Sequence, residues 1–109
     1  MLLSDYQSRS RATAVYPQLG DNLLYPTLGL CGEAGEVAEK IKKMVRDDDG
    51  VLSGERRAAL SKELGDALWY LAQIATEADL DLDVIAGENI SKLLSRRDRN
   101  VLSGSGDDR

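Results

Sequence analysis

Histidine and phenylalanine are absent from this 109-residue chain, and it has only one cysteine and two prolines. With no histidine and Cys31 alone, there is no intrachain disulfide and no thiolate or imidazole zinc site. No apolar run approaches the roughly 18 residues of a membrane helix. The opening stretch MLLSDYQSRSR also lacks the charged start and apolar run of a signal peptide, so a cytoplasmic protein is expected. Positive charge is in deficit: 14 basic against 19 acidic residues, a net charge of -5, which disfavours a surface for nucleic acid polymers. A polyanionic ligand would need divalent cations on clustered carboxylates or a local basic patch.

What is present reads as helix. An apolar content of 42% with 30% charge suits a soluble globular domain, β-branched residues are sparse, and no alternating run reaches strand length. The expectation is one all-α domain over residues 1–109, bundle-like, with four helices. They run from about Leu2 to Tyr16, from Pro26 to about Arg46, from after Ser53 to about Ala78, and from a cap at Asp81 to about Arg99. Residues from about 100 to 109 show no periodic signal and read as a flexible tail. A chain this short leaves much apolar surface to cover, so self-association is expected.

Helical periodicity places apolar stripes at Leu30, Ala34, Val37, Ile41 and Met44, then at Leu60, Leu64, Ala67, Leu68, Leu71 and Ala75. On the last helix Leu82, Ala86, Ile90, Leu93 and Leu94 are expected to face inward, with Asn89, Lys92 and Arg96 along a polar flank. Glu33 and Glu36 border the first stripe, and Glu63 and Asp66 share a side of the next helix with Tyr70. If the two helices pack antiparallel, four carboxylates converge, which makes physical sense chiefly around a hard cation such as Mg²⁺ or Mn²⁺. Gly32, Gly35 and Gly65 flank the acids, each costing about 0.5 to 1 kcal/mol in a helix relative to alanine. They suggest close approach of backbone, metal or substrate, with helix packing as the rival account. Acid pairs at this spacing also occur on solvated helix faces, which leaves a non-catalytic helical interaction module as the alternative. A di-iron or di-manganese carboxylate bundle is disfavoured by the missing histidine.

The string GLCGEAGEVAEKIKK at 29–43, followed by ELGDALWYLA at 63–72, resembles the MazG-type all-α nucleoside triphosphate pyrophosphohydrolases, with their E-x-x-E and E-x-x-D pairs on adjacent helices. ENISKLLSRRDRNVLSGSGDDR at 88–109 resembles the last helix and tail of the short single-domain members. The resemblance covers about Tyr6 to Arg109. It implies magnesium-dependent cleavage of a nucleoside triphosphate between the α- and β-phosphates, giving a monophosphate and pyrophosphate, with nucleotide-pool housecleaning as the role. It also implies metal ligation and catalysis by Glu33, Glu36, Glu63 and Asp66, and substrate contacts from Tyr70, Asn89 and Lys92. Arg96 and Arg109 are further candidates for phosphate, with Arg109 closing over substrate of its own or a neighbouring chain. Relatives form homodimers or homotetramers. With no histidine, the general base must be a carboxylate or the metal-activated water, with Glu36 or Glu63 as the candidate carboxylates.

Overall fold

A computed structural model describes all residues, 1–109, as four helices and no strand. They are α1 (Leu3–Arg11), α2 (Leu24–Asp47), α3 (Gly54–Glu77) and α4 (Leu82–Asp98). α2 and α3 are 24 residues each, about 36 Å long, and form an antiparallel hairpin that is the main packing unit. Its turn is closed at Asp49 and Gly50, both at positive φ, where Gly50 N donates back to Met44 O. Ser53 Oγ accepts from Arg56 N to start α3, and Asp81 Oδ1 accepts from Asp83 N to start α4.

Two boundaries differ from expectation. α1 ends at Arg11 rather than near Tyr16 because Thr13 Oγ1 and Ser10 Oγ bond to carbonyls of the last turn, and Ala14 and Tyr16 are then buried. α2 begins at Leu24, two residues before Pro26, because Asn22 Oδ1 accepts from Tyr25 N. Pro26 still lies in the first turn, where its missing N–H goes unused.

α1 crosses α3 and also contacts α4. Its Tyr6 packs on Ala72, Ala75 and Leu82, while Gln7 binds the α3–α4 turn: Nε2 donates to Thr76 Oγ1 and Leu80 O, and Oε1 accepts from Leu82 N. α4 therefore hangs on α1 and does not close a bundle around the hairpin. The radius of gyration is 16.9 Å, against about 13 Å for a compact chain of this length.

Only nine residues are buried, and most of the expected stripes are not. Leu64 is 52% exposed and Ile90 55%; Ile41, Leu71, Leu93 and Leu94 are also open. The periodicity was real, but within one chain no element covers these faces. On α4 the buried residues are Leu82 and, unexpectedly, Arg96, which leaves its supposed polar flank to lie under the tail. That tail is not loose. Arg109 donates from its guanidinium to the carbonyls of Val101, Leu102 and Gly106, and Arg99 Nη2 donates to Arg109 O, which folds residues 100–109 into a loop.

Candidate metal centre

Each acid pair occupies one helix face because residues three apart are neighbours on an α-helix. The antiparallel hairpin then brings α2 and α3 acids face to face. Glu33, Glu63 and Asp66 can each present a carboxylate oxygen such that all three lie within 4.8 Å of one another. Glu36 is outside this set: it is exposed, one turn along α2, and close enough to Glu33 to act on its charge. Glu33 titrates above the ordinary glutamate value, first because burial disfavours its charge and then because Glu63, Asp66 and Glu36 face it. Lys40 Nζ, 3.6 Å from Glu63 Oε1, is the one cation paired with the cluster. Three converging hard oxygen donors with incomplete neutralisation fit a small divalent cation.

Next to the acids lies an aromatic group. Tyr70 is half-buried and titrates high through burial, then through Tyr25, Glu33 and Asp66, so its hydroxyl lies within reach of the acidic field. Trp69 stands edge-on to Tyr70 at 5.1 Å and to Tyr16 at 6.4 Å, and Tyr16 stacks on Tyr25 at 5.0 Å. Trp69 Nε1 donates to Thr13 Oγ1 at 2.8 Å, tying the α1–α2 loop to the face that carries Asp66.

Glycines divide into two kinds here. A Cβ on Gly29 would fall 2.2 Å from the Tyr70 ring, so Gly29 is required for Tyr70 to lie against α2. A Cβ on Gly32, Gly35 or Gly65 would meet nothing. Packing within the chain therefore does not explain those three.

The residue that orders this end of the molecule is Glu77, whose side chain is wholly buried. It accepts from Tyr16 Oη (2.5 Å), Gly20 N (3.0 Å), Arg11 Nη2 (3.3 Å) and Asn22 N (3.4 Å). Burial pushes its carboxyl up, but these donors outweigh burial and hold it below the usual glutamate range. Neither Glu77 nor Tyr16 stood out in the sequence, since a lone acid late in a helix carries no periodic mark.

The other expected contacts lie elsewhere. Asn89 and Lys92 on α4 line an open cleft with Ile85, Glu88 and Asp107. Arg96 is buried beside Asp107, and Arg109 is occupied inside the tail loop. No cavity encloses the acids. The largest, about 500 Å³, is on another part of the surface between α1 and the α3–α4 turn, and a cleft of about 410 Å³ borders Glu63 but neither Glu33 nor Asp66. The acid cluster is thus an open face of the hairpin.

An antiparallel helical hairpin with three converging carboxylates beside an aromatic wall defines an all-α protein with a candidate metal centre. Residues 21–102 match the MazG nucleotide pyrophosphohydrolase domain, and the chain belongs to that family. It is 50% identical over 109 residues to the Gene 37 protein of Mycobacterium phage L5, covering 95% of this chain and 96% of that one. No solved structure matches the chain.

Proposed function

We propose that this protein hydrolyses a nucleoside or deoxynucleoside triphosphate between the α- and β-phosphates, releasing a monophosphate and pyrophosphate, with Mg²⁺ as the cation and Mn²⁺ as a substitute. The carrying observation is the convergence of Glu33, Glu63 and Asp66 in a chain of this family. Those three acids, with Glu36 rotating in, would hold the cations. Cations held there would lower the pKa of the attacking water and offset charge on the leaving pyrophosphate. Tyr70 lines the nucleotide side of the site, and Gly32, Gly35 and Gly65 leave room for substrate beside the carboxylates. The proton of that water would pass to a carboxylate oxygen left free by the cations, on Glu36 or Glu63.

The whole chain serves as one domain, and it works as a homodimer or homotetramer. A second copy would supply an outer wall and cover Leu64, Leu71 and Ile90. Asn89, Lys92 and Arg96 reach phosphate from α4, whereas Arg109 is spent on the carbonyls of its own loop and serves to shape the tail. No helix is long and apolar enough to cross a membrane, and the proposed role is clearing the cytoplasmic nucleotide pool.

The test is pyrophosphate release from a panel of canonical, deoxy and damaged triphosphates, with MgCl₂ and with EDTA. Release that needs the metal and is lost in Asp66→Asn is the expected result. No release from any triphosphate would overturn the proposal in favour of a non-catalytic helical module.

A further inference from the structure

The C-terminal loop and α4 meet through one acid. Lys92 Nζ lies 2.9 Å from Asp107 Oδ1, and Arg96 Nη2 donates to the same oxygen at 3.2 Å and to the Asp107 carbonyl. Arg96 is only 4% exposed, and its Nε is buried with no partner at all. Nε and Nη2 form one edge of the guanidinium, the edge that takes two oxygens of a carboxylate or phosphate side by side. Asp107 uses Nη2 twice and leaves Nε unmatched, so it fills this edge imperfectly.

The rest of the loop does not depend on that contact. Arg109 and Arg99 hold it together from within, and Gly104, at φ 125°, leaves the space into which Arg109 Cδ packs; a Cβ there would approach to 3.2 Å. The Asp107 side chain is 80% exposed and borders the open cleft of Ile85, Glu88, Asn89 and Lys92. It can therefore leave Lys92 and Arg96 without unfolding the loop.

We propose that Lys92 and Arg96 form a phosphate site which the chain closes with its own Asp107 carboxylate, a latch that an incoming phosphate group displaces. The phosphate engages both Nε and Nη2 of Arg96 and the Lys92 ammonium, contacts that the single carboxylate oxygen cannot make together. That the anion is the triphosphate or its pyrophosphate product rests on the function proposed above; the latch itself does not.

The experiment is calorimetric titration of the intact protein with inorganic pyrophosphate in EDTA, so that no carboxylate-bound metal contributes. Asp107→Asn should bind about fivefold more tightly, the scale of one exposed ion pair. Asp108→Asn, with the same change of charge one residue on, should bind as the wild type does, and adding Lys92→Gln to Asp107→Asn should remove the gain. Unchanged or weaker binding by Asp107→Asn, an equal gain in Asp108→Asn, or a gain that survives Lys92→Gln overturns the latch. A chain that hydrolyses no triphosphate yet shows the Asp107→Asn gain keeps the latch and loses the enzyme. Normal turnover with no gain does the reverse.

Discussion

Asp66 is the acid of the cluster most open to solvent, and its neighbours already crowd one another electrostatically. Removing its charge relieves that repulsion while taking away a ligand. Asp66→Asn should therefore leave the free protein as stable as before, or slightly more so, and should abolish the rise in melting temperature expected of the wild type with MgCl₂. Thermal melts of both proteins with and without the salt check this; an undiminished shift in the variant would remove Asp66 from the metal site. At Gly29 the constraint is steric. Gly29→Ala forces the Tyr70 ring off α2 and should cost about 1 to 3 kcal/mol by urea unfolding, as overpacked contacts do. Combined with Tyr70→Ala, the loss should be well below the sum of the two single changes, because the clash is then gone.

The α1–α2 loop is held by one end of α3, and the holding group is an ionised one. Glu77 titrates below its ordinary value of 4.5 in the folded protein. A depressed carboxyl contributes stability that is complete above the unfolded value and disappears as pH falls through the folded one. The urea midpoint of the wild type should thus fall with acidification through that window below pH 4.5, and Glu77→Gln, already lacking the charge, should show a flatter profile there. Near neutrality the same variant should be destabilised by about 2 kcal/mol, the worth of charge-assisted hydrogen bonds from Tyr16, Arg11 and the loop. Trp69 fluorescence reports the loosening directly, because Thr13 and Tyr16, both on that loop, touch the indole. At this scale the sequence was legible where the signal was local: Ser53 and Asp81 announce α3 and α4, and the acid pairs announce their faces. It was silent on the loop anchor, whose partners lie some sixty positions away along the chain.

As a whole molecule the chain is open for its length. A radius of gyration of 16.9 Å and nine buried residues leave the apolar sides of α3 and α4 without a partner. Its melting temperature should accordingly rise with protein concentration, since a partner subunit that binds only the folded chain stabilises it by mass action. Sedimentation should then show a species larger than one chain, reduced by Leu64→Glu. A concentration-independent melt of a monomer would contradict this. Residue types and their spacing alone determined the all-α class, the number of helices, and the two acidic pairs, because helix propensity, capping and the helical repeat act over a few neighbouring residues. Tertiary structure decided that three of the four acids meet while Glu36 stands apart. It also buried Arg96 under an ordered tail, anchored the loop on Glu77, and left the apolar stripes of α3 and α4 bare. Those outcomes depend on how rigid helices cross and on which distant groups that crossing brings within hydrogen-bonding range, and no local pattern records it.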